Sequence, residues 1–409
     1  MNHKCKLAMA CFLVLALLAT LCFGCAGEEE AEGKEVITIG FLTDIAGPAG
    51  PGLRYLGWGL DDLVKYYNKN DLIPGVQLKV VTYDTKYDPS RDVPGYEWAK
   101  AQGAQVIFSP LTTTGEGLKA RAENDKIPLV IQSGTADLID PPGWAFCVNA
   151  PPSSLMKPLL KWLSEQWPYE RKIKVGCAGW THPFGRDTEK GAREYCQAHP
   201  DEFEWVASRL TPSGTMTWFS EVDKLQTCDY VVIACPGIGQ VTFISDFRAK
   251  EYTAKFVDTD SVGVYIDITV DKVGWEAVDG TLIACGWFWW NEPYPMVDMA
   301  KQLLQEYHAG EAAACIRSGL GYSGGFGQFY LALEILQRAI EEVGVENFDG
   351  QAYYDAATSY RMTDPVWEGY PERFFSESKR LIVSEAKLYE WRADVQDLVS
   401  VSDWLPLTE

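Results

Sequence analysis

Apolar and polar residues alternate with two different periods along most of the chain. Short β-branched apolar runs, such as VITIGFL at 36–42 and AQVIFSP at 104–110, predict strands. Between such runs, stretches like LGWGLDDLVKYYNKN at 56–70 bring apolar residues onto one face at helical spacing. Because the strand runs are continuously apolar and are separated by helices, they predict a parallel sheet covered by helices on both faces.

This alternation occurs twice. The first series ends at a proline-rich join, Pro151–Pro152, and a second series runs on to GTLIACGWFWW at 280–290. Within that segment, WFWW at 287–290 is predicted to be a strand buried on both faces. Further helical stretches and a tail with strand-like runs follow. The pattern therefore predicts an α/β protein with two sheets of similar design.

Charge and composition exclude several kinds of partner. The 409 residues are enough for two or three domains, and 57 acidic against 36 basic residues give a formal charge of -21. Phosphate contacts need clustered Lys and Arg, so no nucleic-acid partner is expected. The four histidines, the lack of a C-x-x-C pair among the seven cysteines after Cys25, and the lack of any H-E-x-x-H or Walker sequence give no pattern for a metal site or a cofactor.

The first residues have the pattern of an export signal. Two lysines precede the apolar run 7–23, and an acidic stretch, AGEEEAEGKE, follows it. Residues 1–24 are therefore assigned to a signal peptide and 25–35 to a tether. The segment resembles a bacterial lipoprotein signal, which implies cleavage before Cys25 and acylation of its thiol. Ordinary cleavage to a soluble exported product stays open, since Leu21 lies four residues before the cysteine and that family has the leucine three before.

Seven cysteines follow the tether, and none has a metal-binding or redox spacing. Cys177, Cys235 and Cys285 each end an apolar strand-like run, which predicts buried free thiols that behave as small apolar groups. For Cys196 and Cys228, the sequence leaves open a disulfide between the two.

The stretch GLGYSGGFGQ at 319–328 contains a G-x-S-x-G motif around Ser323 and also a G-x-G-x-x-G motif. A nucleophile elbow follows a strand, whereas this one follows polar helical sequence, and every histidine precedes the serine. A dinucleotide loop also needs a strand directly before it. The glycines instead predict a closely packed helix start near Gly325, with Tyr322 and Phe326 at its N-terminal end. No enzymatic activity is predicted.

Several stretches, taken in order, resemble a known family. They are ITIGFLTDIAGPAGPG at 37–52, AQVIFSPLTTTGEGL at 104–118, IPLVIQSGTADLID at 127–140, GCAGWTHPFGRDTEKG at 176–191 and AKFVDTDSVG at 254–263. The set resembles the type I periplasmic binding proteins, in the branch of the leucine/isoleucine/valine-binding protein of ABC importers. The resemblance extends over residues 36–345.

The resemblance implies an α/β fold of two lobes, each a parallel sheet flanked by helices, with the ligand in the cleft between them. The lobes are expected at 36–152 plus 286–360 and at 153–285 plus 361–409. Three crossovers are expected to join them, at Ala150–Pro152, Trp287–Asn291 and Arg361–Trp367. One ring of the WFWW run is expected to reach the cleft.

The resemblance also implies a ligand site. The family's carboxylate-binding hydroxyl corresponds to Thr113. The loop with the threonines 112–114 and the loop at 133–135 each follow the carboxyl end of a strand, which is where such sheets bind ligands. The lobe-one candidates are Thr112, Thr113, Thr114, Ser133, Gly134, Thr135, Tyr322 and Phe326. From lobe two, the aromatic that covers the ligand falls on Phe184 and the acid that takes an ammonium falls on Asp260. The alternatives are that Thr113 caps a helix beginning near Gly115, that Phe184 is a core residue and that Asp260 is a turn residue.

The implied protein is an exported, lipid-anchored and monomeric solute-binding component of an ABC importer. Its expected partners are a small apolar amino acid, leucine-like or aromatic, or a related carboxylate, the membrane subunits of the importer and the membrane itself. A sensory ligand-binding protein and a binder of aromatic or aliphatic carboxylates or amides stay open, and an exported enzyme is the least favoured alternative. The family often has a tyrosine near the position of Pro51 and another in the region of PGIGQ at 236–240, so the ligand's identity is left open.

Overall fold

The computed structural model describes residues 33–407. The predicted signal peptide, Cys25 and all of the predicted tether before residue 33 lie outside the described residues. Among the helices of residues 33–407, none combines the length and the apolar character that a bilayer span requires.

The first sheet takes its strands from the first third of the chain. They are β1 (Glu35–Thr43), β2 (Val76–Asp84), β3 (Ala104–Ser109), β4 (Leu129–Ile131) and β5 (Ala145–Cys147), in the order β2-β1-β3-β4-β5 with all neighbours parallel. The helices between them are α1 (Gly50–Lys69), α2 (Asp92–Ala101), α3 (Thr112–Asp125) and α4 (Ala136–Ile139). This sheet and its helices form lobe one.

The second sheet is mostly parallel. Its order is β12-β11-β10-β9-β8-β6-β7, built from β6 (Ile173–Trp180), β7 (Phe203–Thr211), β8 (Tyr230–Ala234), β9 (Lys255–Thr259), β10 (Leu282–Cys285), β11 (Glu385–Arg392) and β12 (Asp397–Ser400). Strand β11 runs antiparallel to β10, β12 and a short last strand, β13 (Leu405–Pro406). The helices of this part are α5 (Pro152–Glu165), α6 (Pro183–Ala198), α7 (Phe219–Val222), α8 (Ile238–Ala249) and α9 (Ile266–Val273). They complete lobe two, and the predicted two-lobed α/β fold is confirmed.

Four more helices follow β10. They are α10 (Pro295–His308), α11 (Ala312–Ser318), α12 (Leu320–Val343) and α13 (Gly350–Thr358). Helices α10 and α12 pack against α1, and α13 packs against α12, so three of the four extend lobe one. The exact residue bounds of the lobes and crossovers stay a prediction.

The junction after β10 differs from the prediction. Strand β10 ends at Cys285, and the WFWW run that follows is irregular rather than a strand, although all four rings are buried. Three of its indole N–H groups donate outside any strand ladder, from Trp287 to the Val148 carbonyl, from Trp289 to Asp397 and from Trp290 to the Gly319 carbonyl. Apolar character therefore predicted that this run is buried but not that its backbone is irregular. The indole N–H groups find their hydrogen-bond partners outside the strand ladders.

Two other expectations are wrong in detail. Helix α12 begins at Leu320, not near Gly325, because Gly319 takes a backbone conformation with φ of 115° from which the helix starts directly. Cys196 and Cys228 are both free, buried thiols rather than a disulfide, and burial raises the pKa of each to about 12. The expectation of buried free thiols at Cys177, Cys235 and Cys285 is confirmed.

Candidate ligand-binding site

A pocket lies between the two lobes, at the carboxyl ends of their parallel strands. Its space, including the part open to solvent, is about 740 Å³. Lobe one lines it with Leu53, Leu56, Tyr87, Leu111, Thr112, Gln132, Ser133, Leu320, Gly324, Gly325 and Gln328, and lobe two with Phe184, Pro236, Asp260, Ser261, Val264 and Tyr265. Asn149, Cys285 and Trp287 line it where the chain passes between the lobes.

The lobes touch each other beside this pocket. The Tyr265 hydroxyl of lobe two donates to the Ala49 carbonyl of lobe one at 3.1 Å. Gly52, on α1, lies so close to lobe two that a Cβ added there would be 2.5 Å from Val264 Cγ1 and 2.8 Å from the Val264 carbonyl oxygen. The absence of a side chain at Gly52 therefore permits the contact between the lobes.

The N-terminus of α3 supplies hydrogen-bond donors at the lobe-one wall. Helix α3 begins at Thr112, and the N–H groups of its first turn have no carbonyl one turn earlier within the helix. The Thr112 hydroxyl donates to Ser133 Oγ at 3.0 Å, which fixes the two hydroxyls side by side. Helix N-termini with adjacent hydroxyls suit anionic groups.

The other residues predicted in these two loops face elsewhere. Thr113 is buried in the first turn of α3 and does not line the pocket, and it does not cap the helix, which has Leu111 as its N-cap. Thr114 donates to Asp92 at 2.7 Å within lobe one, and the Thr135 hydroxyl donates to Glu116 at 2.9 Å. The backbone of Gly134 packs against the Cys147 thiol. These four lie around the pocket wall rather than on it.

Asp260 is the acidic residue of the pocket lining. Its Oδ2 accepts a hydrogen bond of 2.6 Å from Asn149 Nδ2, and the Cys285 Sγ lies 4.0 Å away. Burial raises the pKa of Asp260 to about 6, against the lowering effect of the Asn149 hydrogen bond. Among the lining residues that the structure describes, none is Lys, Arg or His. The carboxylate of Asp260 therefore has no cationic side chain beside it in the pocket.

Aromatic and aliphatic side chains form the rest of the surface. Phe184 is buried and lines the pocket from the first turn of α6, next to His182, whose pKa burial lowers to about 3 so that its ring is neutral. Trp287 lines the opposite part, where its N–H donates to the Val148 carbonyl at 3.0 Å and the Arg373 guanidinium lies 4.4 Å from its ring centre. The expectation that one ring of the WFWW run reaches the cleft is confirmed by Trp287.

Tyr322 and Phe326 point away from the pocket. Tyr322 donates to Asp62 at 2.9 Å, and its ring stacks on Phe326 with centroids 5.7 Å apart, inside lobe one. Successive helical residues are about 100° apart, so Gly324 and Gln328 of α12 face the pocket on the side opposite these two rings. Ser323 is buried within the same helix rather than on a strand-to-helix turn, so the geometry of a nucleophile elbow is not present at this serine.

Two glutamines were missed by the sequence analysis. Gln132 and Gln328 are each 5 % exposed and line the pocket from lobe one. Neither polar atom of the Gln132 side chain has a hydrogen-bond partner among the described residues, and neither does Gln328 Oε1. The available signals were the position of Gln132 directly before Ser133 and the helical spacing of Gln328 from Gly324 and Gly325.

No group of three or more His, Cys, Asp or Glu side chains in residues 33–407 has an arrangement that could hold a metal ion.

Comparison with solved structures gives the same overall fold. A Thermus thermophilus branched chain amino acid ABC transporter protein with bound valine matches with a TM-score of 0.79 and 21 % identity, over 91 % of this chain and 97 % of that one. A fatty acid ABC transporter substrate-binding protein from Thermomonospora curvata matches at 0.77 and 15 % identity, over 91 % and 92 %. A solute-binding protein of an R. palustris ABC transporter in complex with 4-hydroxybenzoate matches at 0.73 and 16 %, over 91 % and 97 %.

Comparison with curated protein sequences finds no match. A sequence profile of the periplasmic binding proteins, however, matches residues 36–396, which include the pocket and most of both sheets, without β12 and β13. The resemblance predicted from the strand and loop sequences is thus confirmed. With two lobes, a pocket between them and a profile match over most of its length, the chain belongs to the periplasmic binding protein family.

Proposed function

We propose that this protein is the solute-binding component of an ABC importer and that it holds an amino acid, or a related small carboxylate, in the pocket between its lobes. The observation that carries the proposal is the pairing of two opposite features in one pocket. Lobe one contributes the donors at the start of α3, and lobe two contributes the carboxylate of Asp260.

The lobe-one end suits a carboxylate. The Thr112 and Ser133 hydroxyls lie beside first-turn N–H groups of α3, and the helix dipole favours a negative charge there. Hydrogen bonds of this kind to a charged group contribute about 1.5–3 kcal/mol each. A carboxylate could therefore bind at this end without any Lys or Arg.

The lobe-two end suits an ammonium. Asp260 is ionised above pH of about 6, and it has no cationic neighbour in the lining to neutralise it. Between the two ends, Leu53, Leu56 and Phe184 offer apolar surface for a side chain. An anion, a cation and an apolar group held together describe an α-amino acid.

A plain carboxylate or an amide is the second candidate. The hydrogen bond of 2.6 Å from Asn149 already occupies one oxygen of Asp260, which gives the acid a partner inside the protein. The similar solved structures also differ in their printed ligands, which are valine in one and 4-hydroxybenzoate in another. A ligand without an ammonium would leave Asp260 paired with Asn149 alone.

The remaining parts of the proposal concern cellular setting. We propose a monomeric, non-catalytic protein outside the cytoplasm, anchored through acylated Cys25 and delivering its solute to the membrane subunits of the importer. A sensory protein that presents its ligand-bound state to a receptor is the alternative. Cys25→Ser would release a lipid-anchored protein into the soluble fraction, whereas unchanged fractionation would exclude the anchor.

A thermal-shift screen tests the ligand assignment. The panel contains L-leucine, L-phenylalanine and L-glutamine, with the deaminated acids and the amides of the first two. A ligand at 1,000 times its Kd adds about 4 kcal/mol to the free energy of unfolding. In a unit the size of one lobe, this raises Tm by about 8–16 °C, at about 2–4 °C per kcal/mol. Shifts confined to sugars or nucleosides in a wider panel would refute the amino-acid assignment.

A further inference from the structure

The two glutamines of the pocket have unused hydrogen-bonding capacity. The carboxamide of Gln132 has both its Nε2 and its Oε1 buried without a partner, and Gln328 Oε1 is in the same state. Both side chains belong to lobe one and line the pocket. A carboxamide offers two donors and an acceptor that can take two hydrogen bonds, so Gln132 alone presents both kinds of group to a ligand.

Such groups are costly when they stay unpaired. Buried polar side chains in folded proteins are hydrogen-bonded in the large majority of cases, and an unpaired one loses its hydration without replacement. Gln240 of lobe two offers a comparison with Gln132, because it is also buried with an unpaired Oε1 but its Nε2 donates to Thr269 Oγ1 at 3.2 Å. Gln132 has no such partner in its own lobe, and the nearest unfilled space is the pocket that it lines.

We propose that Gln132 and Gln328 bind a neutral carboxamide at the end of the ligand's side chain, so that the preferred solute is an amino acid with a side-chain amide. The inference rests on the proposed function, since it assumes that an amino acid occupies the pocket. The ligand amide would donate to Gln132 Oε1 and accept from Gln132 Nε2, and its second hydrogen would go to Gln328 Oε1. The methylene groups of such a side chain would contact Leu53 and Leu56.

Charge at that position fits less well. A side-chain carboxylate could accept from Gln132 Nε2 but would face Gln132 Oε1 and Gln328 Oε1 as unpaired acceptors. An ammonium would satisfy the oxygens but not Nε2, and the acidic residue of the lining, Asp260, belongs to the opposite lobe. A group with both a donor and an acceptor is the complement of both glutamines.

The test compares three amino acids of similar size by isothermal titration calorimetry: L-glutamine, L-glutamate and L-methionine. The wild-type protein is expected to bind L-glutamine at least tenfold more tightly than either of the others. In Gln132→Met, a variant of similar volume, the preference for L-glutamine over L-methionine should disappear or reverse. Gln328→Met should reduce this preference by a smaller factor, because the substitution removes only one acceptor.

Gln240→Met serves as the control, since it changes a buried glutamine outside the pocket lining and should leave the ratio of affinities unchanged. Folding is checked by the Tm of each ligand-free variant, which should not fall for Gln132→Met because unpaired polar atoms are removed. Equal or tighter binding of L-methionine by the wild type, with no change in Gln132→Met, would overturn the inference while leaving amino-acid binding intact. Binding of none of the three, together with no shift for any amino acid in the thermal screen, would overturn the proposed function as well.

Discussion

The two walls of the pocket differ in the kind of group that each presents. The lobe-one wall carries neutral polar groups, namely the hydroxyls of Thr112 and Ser133 and the carboxamides of Gln132 and Gln328. The lobe-two wall carries the carboxylate of Asp260 together with Phe184 and Val264. Both walls also carry apolar residues, and lobe two adds the hydroxyls of Ser261 and Tyr265, so the charge of Asp260 is what separates the two walls.

This difference indicates separate contributions of the lobes to binding. The groups of lobe one lie just after β4, at the start of α3 and on α12, all of which belong to lobe one. Asp260 and Val264 belong to lobe two, which contacts lobe one at Gly52 and Ala49. We therefore expect lobe one to define which solute enters, and lobe two to add charge and apolar surface as the cleft closes.

The largest expected effect comes from removing the charge of lobe two. Asp260→Asn keeps the hydrogen-bonding shape but leaves a bound ammonium without its acid, which should cost about 2–5 kcal/mol of binding free energy. Titration calorimetry with the amino acid that gives the largest thermal shift measures this loss. Asp267→Asn is the matched control, because it makes the same charge change in lobe two outside the pocket lining. Equal affinity in Asp260→Asn and wild type would mean that the acid does not contact the ligand.

The next largest effect comes from preventing the lobes from meeting. In Gly52→Ala the new methyl group would press on Val264, which should weaken binding by about 1–3 kcal/mol while the separate lobes stay folded. Gly57→Ala, on the same helix, is the control, since its Cβ would meet only Phe41 at an ordinary 3.6 Å. Small-angle scattering should show that ligand reduces the radius of gyration of the control but not of Gly52→Ala. The same contraction in both would contradict this role of Gly52.

The smallest effect is a dependence on pH. The pKa of Asp260 is raised to about 6 in the ligand-free protein, so the carboxyl is ionised at pH 7 and largely protonated at pH 5. An ammonium must displace that proton below pH of about 6, so affinity for an amino acid should fall about tenfold between pH 7 and pH 5, or about 1.4 kcal/mol. Affinity should change little above pH 7 until the ammonium of the ligand itself loses its proton, and Asp260→Asn should lose the pH dependence between pH 5 and pH 7. If Asp260→Asn kept the pH dependence, a group other than Asp260 would be responsible for the titration.

Much of the fold could be predicted from the sequence because its signal is local. Continuous apolar runs between helical stretches, as at 36–42 and 104–110, produced the parallel strands β1 and β3. The WFWW run was the exception, since its burial depends on indole donors that find partners in distant segments, such as Val148 and Asp397.

The pocket was less accessible to sequence reasoning. Thr112, Ser133, Phe184 and Asp260 line it, and each came from a loop whose position in the family was carried over. Gln132 and Gln328 looked like ordinary polar positions, because their burial arises only when two lobes enclose the same space. Tyr322 and Phe326 were placed in the site because the start of α12 was misjudged, and the helical phase decides which residues face the cleft.

A crystal structure with the preferred amino acid tests the division between the lobes most directly. The account predicts the ligand carboxylate within hydrogen-bonding distance of Thr112 and Ser133 at the start of α3, and the ammonium on the carboxylate of Asp260 across the cleft. A ligand bound in the reverse direction, or bound by lobe one with no contact to Asp260, would contradict it.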